Sequence, residues 1–581
     1  MKKRLLSIIA LLSMLIPYNI PTVAASPREG EQVTLKLLET SDVHGNFFPT
    51  DLITGAPIKG SMARVSHIVD SVRQAHRGSV VLLDNGDILQ GQPVSYYSNV
   101  VDTTRPNIAA RVINYMRYDA QNWGNHDVEP GHQVFDKWIR EVNCPMLGAN
   151  VIDTSTGQPY LKPYTLITRQ GIKVAVLGMI TPAIPNWLDA HVWSGLQFQD
   201  MVSCAWQWVQ YLRQHERPDV IVGLFHSGFE GGISTAAYDE NAAHRVAQEV
   251  PGFDIIFFGH DHKRHSSQVL GPEGRKVILL NPANNAITVA QATLLMQRQD
   301  NRWVIASSMG ELLPVTDSPI DKAYVKHFAP TLERVSQWVR QPIGTLSKTI
   351  SSQDSFFGNS DFTDLVHHLQ LTITGAQISF CAPLSADAVL RKGAITVGDM
   401  FNLYKYENNL YVMRLTGREI QRYLEMSYDL WVNTMQREDD HLLLIEKAGN
   451  SYWFKNASYN FDSAMGIDYE VDVTKPKGEK VRILHMSDGT PFDPDATYRV
   501  AMNSYRASGG GQLLTKGAGI PSSELASRVV WKSDSDLRSY LMREIKRQGT
   551  ISPTPGNNWR FVPTDWTVPA ARRDRALIFK P

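Results

Sequence analysis

Between residues 33 and 258 short apolar runs alternate with longer stretches in which apolar residues recur at helical spacing. The strand-like runs are Val33–Leu38, Ser79–Leu83, Lys173–Gly178, Val220–Phe225 and Asp254–Phe258. Helix-like segments over Met62–Ala75, Asn107–Tyr118 and Met201–Gln214 separate them. Strands alternating with helices predict a layered α/β domain. Most of the runs end in a polar cluster: Thr40-Ser41-Asp42-Val43-His44, Asp84-Asn85-Gly86-Asp87, His226-Ser227-Gly228 and Gly259-His260-Asp261-His262. Open α/β sheets carry their chemistry at such carboxyl ends of strands.

The pattern changes near Ser318, where Ala323, Val325, Phe328, Leu332, Val335 and Val339 fall at helical spacing. A second mixed α/β composition with Gly-rich turns follows. The expected division is a first domain over 26–317, a linker helix over 318–344, a second domain over 345–563 and a surface tail over 564–581. With 581 residues the chain is too long for one hydrophobic core.

Composition narrows the partners. The 58 Lys and Arg balance 58 Asp and Glu, so no basic footprint for a nucleic-acid polymer exists. The 3 cysteines form at most one bridge and lack metal-ligand spacing. Residues 1–25 combine a basic start, a short apolar run and small residues before Ser26, which reads as a cleaved export signal. That predicts a periplasmic or secreted protein, and no transmembrane segment is expected after the signal.

The polar clusters supply metal ligands. Asp42 and His44 form D-x-H, Asp87 follows Gly86, and Asn125 and His126 sit in Gly124-Asn125-His126-Asp127. His226 ends a strand, and His260 and His262 form G-H-x-H. Aspartate, asparagine and histidine together suit a first-row divalent ion. Seven donors are too many for one ion and natural for two, such as zinc or manganese, with a carboxylate such as Asp87 bridging. Two such ions stabilise both oxygens of an in-line displacement and acidify bound water.

This series of clusters resembles the calcineurin-like metallophosphoesterase motif set. Downstream, Tyr404-Lys405-Tyr406-Glu407-Asn408-Asn409, Tyr459-Asn460-Phe461-Asp462 and Asn503-Ser504-Tyr505-Arg506-Ala507-Ser508-Gly509-Gly510 resemble the carboxy-terminal domain of the bacterial 5′-nucleotidase and 2′,3′-cyclic-nucleotide phosphodiesterase family. The resemblance covers nearly the whole chain after the export signal. It implies a four-layered α/β/β/α sandwich, a linker helix and a smaller α/β substrate-binding domain.

It also implies roles. One ion is held by Asp42, His44, Asp87 and His262, the other by Asp87, Asn125, His226 and His260. His262 stands where the nucleotidases carry glutamine. His126 stabilises the transferring phosphoryl group or protonates the leaving oxygen, paired with Glu129, which stands where the nucleotidases have aspartate; Asp127 is the rival partner. Phe461 and Tyr505 sandwich the base, with Tyr459 as the alternative to Phe461. Arg506 offers positive charge to the substrate.

Two departures bear on the substrate. The stretch Phe380-Cys381-Ala382-Pro383-Leu384 lacks the nucleotidases' phosphate-gripping arginine, and Ser508-Gly509-Gly510-Gly511-Gln512 lacks their ribose-reading aspartate. Both lean toward a 2′,3′-cyclic-nucleotide 2′-phosphodiesterase/3′-nucleotidase working through metal-activated water. The competing expectations are a 5′-nucleotidase or UDP-sugar hydrolase and, from another class, a non-catalytic nucleotide-binding surface protein.

Overall fold

The computed structural model describes residues 29–449 and 451–579. The segment read as an export signal lies outside the described residues. Among them, no helix is long and apolar enough to cross a membrane.

The first domain is built on two six-stranded sheets. One runs in the order Arg302–Pro314, Thr288–Gln299, Gln32–Thr40, Val80–Asp84, Ala120–Asn122, Met146–Leu147. The other runs Arg264–Leu270, Lys276–Pro282, Ile255–Phe258, Val220–His226, Ile172–Ile180, Tyr164–Arg169. Strand alternation decides the layering. Leu35 and Leu37 face the second sheet, in one core with Val174 and Val222. Leu38 faces the other way, into a core with Val65 and Ile113 of the covering helices. A third core joins the far face of the second sheet to helices Met201–Tyr211 and Ala243–Glu249. Three cores between four layers give the α/β/β/α sandwich.

Strand direction then places the chemistry. Gln32–Thr40, Val80–Asp84 and Ala120–Asn122 run parallel, as do Ile172–Ile180, Val220–His226 and Ile255–Phe258. Their carboxyl ends, and the polar clusters that follow, meet at one rim.

Helix Lys322–Val339 starts where Asp321 accepts hydrogen bonds from the amides of Ala323 and Tyr324. Its apolar face packs into the first domain's core through Tyr324, Phe328 and Val335. Its end reaches the second domain, where Trp338 lies against both Tyr96 of the first domain and Phe401 of the second. The second domain centres on a five-stranded sheet, ordered Ser463–Met465, Ile378–Cys381, Thr497–Asn503, Asn409–Thr416, Val529–Asp536. Helices Asp361–Thr374 and Gly417–Trp431 pack on it.

The residues read as a surface tail form helix Thr564–Ile578, docked on the second domain. Thr567, Ala570, Asp574 and Ile578 share its buried face, while Arg572, Arg573 and Arg575 mask that periodicity in the sequence. Buried Asp574 accepts hydrogen bonds from the Leu443 amide and from His441 Nδ1 at 2.9 and 2.5 Å. Cys144, Cys204 and Cys381 are all free thiols.

Candidate active site

The rim loops bend sharply. Asp42, His44, Asp87, His260 and His262 all have positive φ, between 48° and 71°. Non-glycine residues in that region cost about 1–3 kcal/mol each and cluster at functional sites; Asp and His are among the types that tolerate it. Backbone hydrogen bonds hold the bends: the Asp42 amide donates to Gly86 O and the His44 amide to Asp87 O, at 3.0 and 2.9 Å. Gly124 is required by close approach, since a Cβ there would lie 2.1 Å from Asp87 Oδ1.

The donors converge in two overlapping groups. Ligand atoms of Asp42, His44, Asp87 and His262 all lie within 4.8 Å of one another. Asp87 Oδ2 also lies 3.2 Å from His226 Nε2, while Asn125 Oδ1 lies 3.2 Å from His226 Nε2 and 2.8 Å from His260 Nδ1. His226 Nδ1 donates to Asn85 O at 2.7 Å, which turns Nε2 toward the site. Burial alone would raise the Asp42 and Asp87 carboxyls, but His226 and the neighbouring imidazoles outweigh it and hold both well below the usual range. Burial pulls His44 down to about 4 despite Asp87. Carboxylates kept ionised beside a neutral imidazole fit a first-row divalent cation.

Asp127 and Glu129 separate in function. Fully buried Asp127 accepts hydrogen bonds from the amides of Asp87, Ile88, Leu89 and Gly124, at 2.8 to 2.9 Å, and so shapes the Asp87 loop. Glu129 Oε2 instead takes His126 Nδ1 at 2.8 Å. Burial opposes charge on the His126 ring, but Asp87 and Glu129 prevail and push it up to about 9. Its Nε2 has no partner among the described residues.

His126 opens onto an interdomain cleft of about 480 Å³. The second domain contributes Tyr406, Tyr411, Tyr459 and Tyr505. Two expected substrate contacts are corrected here. Phe461 is fully buried, stacked on Trp431 with centroids 5.6 Å apart and planes 3° from parallel. Tyr459, two residues earlier, carries the motif's aromatic face into the cleft, 6.3 Å from Tyr505 in a T-shaped arrangement. Arg506 is 2% exposed. Its guanidinium donates to both oxygens of Asp462 and to the carbonyls of Tyr459 and Gly510, stapling the loops that carry the two tyrosines. A short 3₁₀ turn over Ser458–Asn460 sends the two rings apart, Tyr459, the alternative named from sequence, into the cleft and Phe461 into the core.

Other groups carried no sequence signal. Glu240 Oε1 lies 3.1 Å from His260 Nε2 and helps orient that ring. Glu407, pushed up to about 8 by burial against the pull of Arg538, lines the cleft. Asp189 on the first domain accepts from Tyr411 Oη and pairs with Lys532. A second cavity of about 390 Å³ opens on the other side of His126 and His262.

Residues 35–264 match the calcineurin-like phosphoesterase family and residues 342–516 the 5′-nucleotidase C-terminal domain. The chain is 26% identical over 615 residues to a 2′,3′-cyclic-nucleotide 2′-phosphodiesterase/3′-nucleotidase of Yersinia enterocolitica, covering 95% of this chain and 91% of that protein. It is 28% identical over 626 residues to the trifunctional nucleotide phosphoesterase protein YfkN of Bacillus subtilis, covering 97% of this chain and 41% of that longer protein. The fold is similar to that of a 5′-nucleotidase precursor from Thermus thermophilus, with a TM-score of 0.63 and 21% identity over 91% of this chain and 99% of that one. Rim geometry, fold and both matched domains agree that the chain belongs to the bacterial 5′-nucleotidase family of metal-dependent phosphoester hydrolases.

Proposed function

We propose that the protein is a periplasmic or secreted 2′,3′-cyclic-nucleotide 2′-phosphodiesterase and 3′-nucleotidase. The observation that carries this is the cleft lining: tyrosines, amides and carboxylates, with no arginine or lysine among the described residues. A 5′-monophosphate is a dianion and calls for a cationic grip. A cyclic 2′,3′-diester carries one charge and tolerates this cleft. With Arg506 bound to Asp462, no other described side chain of the cleft replaces the missing arginine near Leu384.

Asp42, His44, Asp87 and His262 would hold one divalent ion, and Asp87, Asn125, His226 and His260 a second. Such ions would neutralise charge on the phosphate oxygens and favour deprotonation of water at neutral pH. The protein's own groups do the rest. Tyr459 and Tyr505 position the base by stacking, worth about 1–3 kcal/mol and tolerant of base identity. His126, kept cationic by Glu129, donates from Nε2 to the phosphoryl oxygen or the departing ribose oxygen. Water adds to phosphorus, the bond to O2′ breaks, and the leaving oxygen takes the proton, giving a 3′-monoester. The first domain over 26–317 carries the chemistry and the second over 345–563 the base, so closure of the cleft completes the site.

The test compares kcat/KM on 2′,3′-cyclic AMP, 3′-AMP and 5′-AMP for manganese- or zinc-loaded protein. A preference of about tenfold or more for the cyclic ester, ~1.4 kcal/mol, is expected. A preference for 5′-AMP would make the protein a 5′-nucleotidase with another phosphate grip.

A further inference from the structure

The centre at His126 and His262 is flanked by two cavities of opposite electrostatic character. The base cleft is lined by five carboxylates, those of Glu129, Asp189, Glu240, Asp261 and Glu407, and by no described lysine or arginine. The second cavity is lined by Lys59 and Lys405 and by no described carboxylate. Neither ammonium has an acidic partner among the described residues; Lys405 lies only over the Tyr406 ring, 5.8 Å from its centroid. Tyr406 lines both cavities, so Lys405 borders one and the Glu407 carboxyl the other.

Gln90 is a second, independent observation. It lines the same cavity and is 5% exposed, yet its amide has no hydrogen-bond partner among the described residues. Its place is fixed from the backbone: Gly91, with φ of 129°, passes so close to His44 that a Cβ would lie 2.4 Å from His44 O. The chain is therefore held so that Gln90, Lys59 and Lys405 line one space bordered by His126 and His262 and separate from the base cleft.

We propose that this cavity is an anion subsite for the far arm of the substrate. Resting on the functional reading above for the metal centre and base cleft, it adds to the cyclic ester, whose two oxygens share one ribose, a second substrate class: open phosphodiesters R–O–PO₂–O–R′ in which R lies in the base cleft and R′ carries a second phosphate. Water adds to the central phosphorus, the bond to the oxygen of R breaks, and that oxygen takes a proton. The product retained on the lysine side is R′ with two phosphates. No oxidant or further reactant is involved.

The experiment uses two chromogenic diesters that differ only in the far arm, p-nitrophenyl ethyl phosphate and p-nitrophenyl 2-phosphonoethyl phosphate. On metal-loaded protein the charged arm should raise kcat/KM by about tenfold or more, as expected of charge-assisted hydrogen bonds, and the advantage should shrink with added salt. Lys59→Ala and Lys405→Ala should each cut the ratio, and the double variant should bring it near one. Gln90→Leu should lower it as well. A ratio at or below one in the wild type, or one that survives in the double variant, overturns the subsite. So does inhibition by inorganic phosphate that Lys59→Ala relieves while the two arms react alike, which would mark a site for free phosphate. Failure to turn over 2′,3′-cyclic AMP at all would instead sink the functional reading, and this inference with it.

Discussion

The two walls of the cleft are made differently. On the first domain, five of the seven candidate ligands sit at positive φ, knitted by backbone bonds between the Asp42 and Asp87 loops. On the second domain, Tyr459 and Tyr505 have ordinary backbones and meet edge to face at 6.3 Å. One wall stores strain that fixes its donor atoms; the other presents two rings on unstrained backbone. The difference matches the demands of the two jobs. Charge stabilisation in a transition state rewards preorganised groups, whereas stacking on a base tolerates adjustment.

Substitutions on the strained wall should therefore cost most. Asp87→Ala removes the carboxylate common to both donor groups and the partner of the His126 amide, 2.8 Å away. Activity should fall about 10⁴-fold or more, ~5 kcal/mol, and bound metal should drop in parallel by elemental analysis. Retention of full metal content would break the assignment of Asp87 as the bridging ligand. His126→Ala should lower kcat by about 10²–10⁴-fold with metal content intact. Glu129→Gln should follow in the same direction with a smaller loss, because it only orients and charges the ring. Equal losses for Asp127→Asn and Glu129→Gln in kcat, with no change in stability for either, would contradict the separation drawn between those two acids.

On the adaptable wall the prediction splits by residue. Phe461→Ala should destabilise the protein by about 3–5 kcal/mol, as expected for a core aromatic, while folded enzyme keeps its KM. Tyr505→Ala should do the reverse: stability nearly unchanged, and KM for nucleotides raised about tenfold or more, from the loss of ~1–3 kcal/mol of stacking. Denaturant unfolding and steady-state kinetics on both variants decide it. A raised KM in Phe461→Ala at unchanged stability would return Phe461 to the cleft.

The same contrast governs what was legible in sequence. The candidate donors Asp42, His44, Asp87, His226, His260 and His262 stand at or just after apolar strands, so local pattern pointed to them, whereas Asn125 follows the polar strand Ala120–Asn122; parallel pairing brings these strand ends to one rim. Strands at 33–38, 79–83 and 220–225 reappear with ends shifted by one or two residues, because the pairing partner rather than hydrophobicity sets where a strand stops. The aromatic wall depended on tertiary register: Phe461 faces Trp431 and Arg506 faces Asp462, neither of which is near in sequence. Glu240 approaches His260 from a short strand 20 residues earlier, with no motif to mark it. Helix Thr564–Ile578 was hidden by three arginines that interrupt its apolar spacing.

The smallest effect concerns the scaffold under the adaptable wall. His367 is 1% exposed, with Nδ1 2.9 Å from Ser379 Oγ and Nε2 3.2 Å from Ser463 Oγ, and burial holds it down to about 3. Because its folded value lies below the ordinary one near 6.5, the unfolded chain binds the extra proton first. Its contribution to stability is complete above about pH 6.5 and is lost as pH falls toward 3, at up to ~1.4 kcal/mol per pH unit. His367→Gln, which keeps hydrogen bonds to the two serines and cannot titrate, should remove about one proton from that slope. Denaturant unfolding of both proteins at about pH 7, 6 and 5, followed by tryptophan fluorescence, measures the difference between the curves. Other acid-sensitive groups, including the metal ligands, act on both proteins alike and cancel in that difference. Parallel curves would mean that His367 already titrates near its ordinary value, and that the second domain's core admits water at that ring.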